Sequence, residues 1–206
     1  MILFSCNVLA KDSNDGLFDF LIKLEQSEKM TNIVKTEFVQ TIFFEDTGEK
    51  QKINGTVFLK KPDSIYITQR TPQEQRIYIN AKTIIIYTPD EKQAIVDSWK
   101  NSFDKDFSPA DIINFGRSWR GLKKDYEIFL DGYDNNHVII KIQGLKNKDF
   151  YVKMYFSKLN MHPEKAIVNS PGLNMEIVLK NYIINPTVSL DTFKFKSPND
   201  VEVIKL

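Results

Sequence analysis

A mainly β fold with few helices, of the α+β class, is predicted by three features of this 206-residue chain. Apolar residues alternate with a period of two in many short runs after Asn32, the turns between the runs are short and polar, and helical spacing occurs in only two places. A long antiparallel meander must manage its unpaired edges, and curling into a barrel or half-barrel does so. Two helices are too few to cover both faces of so wide a sheet, but they suffice to plug the open mouth of a curved one.

The first helix is marked by Leu17, Phe18, Leu21, Ile22 and Leu24 at helical spacing, with Lys23, Glu25 and Gln26 between them and Asn14-Asp15 as N-cap. Strands follow in IVKTEFVQTIFFE, INGTVFLKK, SIYITQ, RIYIN, TIIIYTP and QAIVDSW, separated by turns such as Asp46-Thr47-Gly48 and Asn80-Ala81-Lys82. A second, central helix opens at Ser108-Pro109-Ala110-Asp111: Ser108 caps, Pro109 suits the first helical position, and Ile112, Ile113 and Phe115 precede Gly116. Strands resume in DYEIFLD, HVIIKIQG, FYVKMYFS, KAIVNS, MEIVLKNYII and FKFKSP, the first two joined across Gly132 to Asn136. Short connections imply antiparallel neighbours. In GTVFLKK, Val57, Leu59 and Lys61 point to one side and Thr56, Phe58 and Lys60 to the other, so both faces of this strand are partly apolar and one apolar row ends in a lysine.

The length asks for a single domain. With 28 Lys and Arg against 27 Asp and Glu, the net charge gives no reason to expect nucleic acid or an acidic membrane as partner. The alternation of YVKMYFSK resembles an aromatic and basic nucleic-acid face, but a half-buried strand gives the same pattern and is the reading adopted. The lone Cys6 excludes an internal disulfide framework and a Cys-rich zinc site. Residues 1–10 are expected to be a truncated signal segment, with Val8-Leu9-Ala10 before cleavage and Lys11 starting the mature domain, 11–206. The rival reading makes Leu3-Phe4-Ser5-Cys6 an imperfect lipobox with an acylated Cys6. No apolar run reaches the roughly 20 residues of a membrane-spanning helix.

Catalytic signals are weak. His137 and His162, the two histidines of the chain, both lie beside turns and are expected to be solvent-exposed loop residues. No nucleophile elbow, Gly-rich phosphate loop or dinucleotide fingerprint is present, and Asp104 with Asp106 reads as a solvated loop pair. The expectation is a protein that is not an enzyme and uses neither cofactor nor metal; a carboxylate-only hydrolase is the enzyme alternative. Ile, Val, Phe and Tyr on strands suit an apolar cavity as readily as a core.

Phe38-x-Gln40, Gly55-x-Val57-x-Leu59-x-Lys61-Pro62, Lys82-Thr83-Ile84-Ile85-Ile86-Tyr87-x-Pro89, Ser108-Pro109 and Phe193-x-Phe195-x-Ser197-Pro198 occur in order. In that order and spacing the chain, from Leu17 to Val203, resembles the LolA family of periplasmic lipoprotein carriers. The resemblance implies a half-open antiparallel β-barrel whose apolar concave face is covered by lid helices. It further implies binding of acylated lipoproteins, receipt from an inner-membrane lipoprotein-releasing ABC transporter, delivery to an outer-membrane acceptor, and a monomer working in the periplasm of bacteria with two membranes. On this reading Val57 and Leu59 line the cavity wall, Ile65, Ile67, Ile84 and Ile86 continue it by the same alternation, and Ile112, Ile113 and Phe115 face it from the lid. The family's basic residue before the proline, usually Arg, latches the central helix; here it is Lys61, opposite Ile112, Ile113 and Asn114, and its point charge makes a looser latch than a planar fork. Asn80-Ala81 stands where the family has Asp-Gly. Two alternatives share the fold: a LolB-like anchored receptor, and an envelope-stress sensor domain that binds lipidated or amphipathic ligands.

Overall fold

The computed structural model describes residues 13–80, 83–98 and 126–206. The signal segment, Cys6, Ala81, Asp104, Asp106 and the whole predicted central helix, including Ile112, Ile113, Asn114 and Phe115, lie outside the described residues.

Helix α1 (Ser13–Glu28) leads into β1 (Ile33–Phe44), β2 (Lys50–Lys60), β3 (Ser64–Thr71), β4 (Gln75–Ile79), β5 (Thr83–Thr88) and β6 (Gln93–Ser98). After the central segment come β7 (Tyr126–Tyr133), β8 (His137–Gly144), β9 (Tyr151–Ser157), β10 (Pro163–Ser170) and β11 (Leu173–Ile184). A 3-10 turn over Leu190–Phe193 then leads to β12 (Glu202–Lys205). The strands form one curled, open sheet in the order β12-β6-β5-β4-β3-β2-β1-β11-β10-β9-β8-β7. Neighbours are antiparallel, as short turns require, except that β12 runs parallel to β6. Two meanders thus meet where β1 pairs with β11.

Among the described residues the structure corrects the predicted strand FKFKSP and adds the unpredicted edge strand β12. The alternation of FKFKSP is real but serves packing across the sheet rather than pairing at an edge. Ser189 caps the 3-10 turn by accepting from the Asp191 amide, and Lys194 and Lys196 turn outward to Asp191. Phe193 and Phe195 turn inward onto the sheet.

One face of the sheet carries two apolar clusters. On the β7–β10 half, Leu17, Phe20, Leu21 and Leu24 of α1 pack against Ile128, Ile140, Val152, Met154 and Phe156, with the Phe20 and Phe156 rings edge-to-face at 5.4 Å. Full burial of side chains such as Leu24 and Phe156 contributes roughly 1.5–3 kcal/mol each. Phe18, counted in the helical pattern from sequence, is instead exposed. On the β1–β5 half the cluster is Val34, Val57, Leu59, Ile65, Ile79 and Ile84, with no side chain from α1 among the described residues.

The opposite face explains the second apolar side of GTVFLKK. Phe58, Tyr66, Tyr78 and Ile85 are cross-strand partners, and the rings of Phe58 and Tyr66 lie 6.0 Å apart, those of Tyr66 and Tyr78 4.8 Å. Phe195 covers this ladder at 5.6 Å from both Tyr78 and Tyr87, while Lys60 lies 5.6 Å over the ring of Phe193. Burial, aided by neighbouring Tyr66, pushes the Tyr78 phenol up to about 12.

Gly55 accounts for another motif. It sits at a bulge opposite Phe38, where an added Cβ would lie 2.0 Å from the Thr68 main-chain oxygen and 2.8 Å from the Phe38 ring. The aromatic ring occupies the side-chain space that the glycine leaves, which is why Phe38 and Gly55 belong together.

Candidate functional site

Strand register aligns two apolar rows on the helix-bearing face. One runs Val34, Leu59, Ile65, Ile79, Ile84, and the next runs Thr36, Val57, Ile67, Ile77, Ile86, Ile95. Directly opposed side chains on one face are in contact distance, so β-branched residues here make a continuous surface rather than isolated pairs. The six wall residues expected on strands, Val57, Leu59, Ile65, Ile67, Ile84 and Ile86, are therefore brought together. Ile77 and Ile79 belong with them and were missed, although the alternation of RIYIN carries the same signal. Tyr182 and Phe38 pack at the border of the cluster. The four lid residues expected on the central helix are not among the described residues.

Lys61 follows Leu59 at the rim of this surface. Its Nζ donates to the main-chain oxygen of Glu28 at 2.5 Å, so its described partner is the last turn of α1. A cation there meets carbonyls that the helix leaves without intrahelical partners and complements the negative end of the helix dipole. Asn185, in the left-handed region at φ 48°, ties the same rim together. Its Oδ1 accepts from the Asn32 and Ile33 amides at 2.8 and 3.1 Å, and its Nδ2 donates to the Met30 carbonyl at 2.9 Å. Asparagine tolerates that backbone conformation better than most residues.

Both histidines lie at this end of the sheet, and neither is the free loop residue expected from sequence. His137 opens β8 with its side chain only 20% exposed; Nδ1 is 2.9 Å from Asp134 and Nε2 2.9 Å from Glu164. The hydrogen bond to Asp134, and secondarily the one to Glu164, raises its pKa above 6.5. With each ring nitrogen on a carboxylate, His137 cross-links the β7–β8 turn to β10 and presents no nitrogen to a substrate. His162 instead stacks on Tyr182 with centroids 4.8 Å apart. Its Nδ1 is buried with no hydrogen-bond partner among the described residues, and burial lowers its pKa against a smaller opposing effect from Glu164. Tyr182 donates to the Pro163 carbonyl, and burial holds its phenol well above the usual range while Thr36 opposes the shift. Thr36, itself buried, donates to the Lys180 carbonyl at 2.6 Å.

These two histidines give stability opposite pH slopes. His137, raised when folded, contributes stability that is complete below its unfolded value near 6.5 and lost as pH rises through the folded value; His162, lowered when folded, contributes stability that is present above 6.5 and lost as pH falls through its folded value. Urea midpoints measured from pH 5 to pH 8 are expected to show the advantage of wild type over His137→Asn shrinking with rising pH. Its advantage over His162→Asn is expected to grow over the same range.

Among the described residues no group of three or more His, Cys, Asp or Glu is placed to hold a metal ion, and no helix is long and apolar enough to cross a membrane. Lys153 and Tyr155 point away from buried Val152, Met154 and Phe156, so YVKMYFSK is the alternation of a half-buried strand. Lys153 is paired with Asp131 at 2.8 Å and Lys165, over the Tyr155 ring, with Glu176 at 2.7 Å. Lys158, the other lysine of YVKMYFSK, donates to the main-chain carbonyl of Asp134 at 2.6 Å.

The sequence family described as outer membrane lipoprotein carrier protein LolA matches residues 29–196. Relatives named outer-membrane lipoprotein carrier protein include one from Wolinella succinogenes, 28% identical over 83% of this chain and 86% of its own. Another, from Idiomarina loihiensis, is 25% identical over 87% of this chain and 84% of its own. Among solved structures, an uncharacterized conserved protein from Thermus thermophilus superposes with a TM-score of 0.60 at 10% identity, covering 93% of this chain and 99% of that one. That likeness concerns the fold alone.

Proposed function

We propose that this chain, which belongs to the LolA family of outer membrane lipoprotein carrier proteins, binds the acyl chains of lipoproteins released from the inner membrane and carries them across the periplasm to the outer membrane. The observation that supports this most directly is the pair of in-register Val, Leu and Ile rows on β1–β5, to which α1 contributes no side chain among the described residues. An acyl chain gains about 0.8 kcal/mol for each methylene buried, so a surface of this kind suits lipid tails, and lipidated proteins need such cover to cross water. In this reading the rows are the concave wall of a half-barrel, completed by Ile112, Ile113 and Phe115 on a lid formed by the central helix.

Lys61, with Asn114 on the lid, holds the empty protein closed. Its bond to the end of α1 makes α1 the first element it restrains. A latch broken by cargo lowers net affinity, which lets a carrier release what it binds. The work is binding, with no chemical step and no cofactor. The protein acts as an exported monomer whose residues 11–206 form one carrier domain, loaded by an ABC transporter complex and unloaded to an outer-membrane acceptor.

The test is to add the purified domain to spheroplasts of the source organism and identify by mass spectrometry the lipoproteins that leave the membrane with it. Acylated lipoproteins co-eluting with the protein are the expected result. Their absence, with the domain folded and the releasing complex matched, overturns the carrier reading.

A further inference from the structure

His162 holds the one buried side-chain nitrogen or oxygen without a hydrogen-bond partner among the described residues. Such atoms are rare because an unmade hydrogen bond is costly. Its surroundings give the unmade bond more than local meaning. The ring lies on Tyr182, and Tyr182 packs at the border of the β1–β5 apolar cluster. Both the amide and the carbonyl of His162 are already bonded, to Asn160 and Ser157, so the main chain positions the residue while Nδ1 of its ring makes no hydrogen bond among the described residues. Tyr182 stands on β11, the partner of β1, and His162 just before β10, so the ring lies beyond the β1 end of the rows, where tails lying along them would end and their polar linkage would begin.

Resting on the carrier reading, we infer that His162 is the polar anchor of the site: its Nδ1–H donates to an ester or amide carbonyl at the head of the acyl chains. A neutral imidazole supplies one donor whose position is set by the tautomer, and Tyr182 fixes the ring plane. The bond belongs to the loaded protein alone. Cargo therefore gains a differential contact that favours the loaded state, opposing the Lys61 contact that favours the empty state. Tails alone bind by area; the carbonyl sets how deep they lie.

The probes are two synthetic lipopeptides with the same cysteine-glyceryl head, one bearing two ester-linked palmitoyl chains and the other two ether-linked hexadecyl chains. Wild type is expected to bind the ester probe about tenfold more tightly than the ether probe. His162→Leu binds the two alike, at the ether affinity of wild type, and His162→Asn keeps the preference, because its amide nitrogen occupies the place of Nδ1. Equal binding of both probes by wild type overturns the inference and leaves the carrier reading standing, and needs no variant to fold. Retention of the preference in His162→Leu overturns it equally. Failure of wild type to bind either probe overturns the carrier reading and the inference with it.

Discussion

Replacing Leu59 with Glu is expected to reduce lipoprotein release to background and to lower the urea midpoint at neutral pH. Leu59 is 8% exposed and lies between Val34 and Ile65 in the first apolar row. An ionised carboxylate there has no cation opposite it in that row, and an uncompensated buried charge costs about 3–5 kcal/mol. The side chain can avoid part of that cost by taking up a proton, because burial disfavours the charged form. Stability should accordingly recover as pH falls toward 5, while release does not, because a carboxyl group still interrupts the surface. Release at wild-type level from Leu59→Glu would remove β2 from the binding surface.

Gly55→Ala is expected to cost about 3 kcal/mol of stability, read as a fall in urea midpoint without a change in slope. The closest obstacle to the new methyl is the Thr68 main-chain oxygen at 2.0 Å, and only then the Phe38 ring. A ring can rotate away; a carbonyl held in the β2–β3 ladder cannot. Phe38→Leu should therefore fail to rescue Gly55→Ala, and full rescue would place the conflict on the aromatic side. This separates a packing glycine from a turn glycine such as Gly48, whose φ of 71° is its reason and which has no atom within 4 Å of the added carbon.

The strands and α1 were legible in the sequence because alternation and helical spacing record which side of an element meets apolar neighbours. Val57, Leu59, Ile65, Ile67, Ile84 and Ile86 could be assigned to one surface by counting alone, since each strand keeps its parity and the short turns fix the register. The pairing of β1 with β11 was not legible, because the bond connects residues as distant as Thr36 and Lys180, 144 positions apart. FKFKSP misled for a related reason: its alternation reports one dry side and is silent about whether the dry side is a neighbouring strand or a sheet face. The histidines were misjudged because a residue beside a turn is free only if nothing folds against it, and Glu164 and Tyr182 come from later strands.

The β1–β11 seam also governs the order of assembly. β2 is available to β1 as soon as both have been made, but the other edge of β1 waits for β11, nearly the last strand in the chain. Until then an apolar strand stands with one open edge, the condition under which strands pair with the wrong partner. Contacts so distant along the chain slow the search for the native pairing. The half nearer the N-terminus is thus finished by the half nearer the C-terminus, and β1 keeps one open edge until β11 has docked.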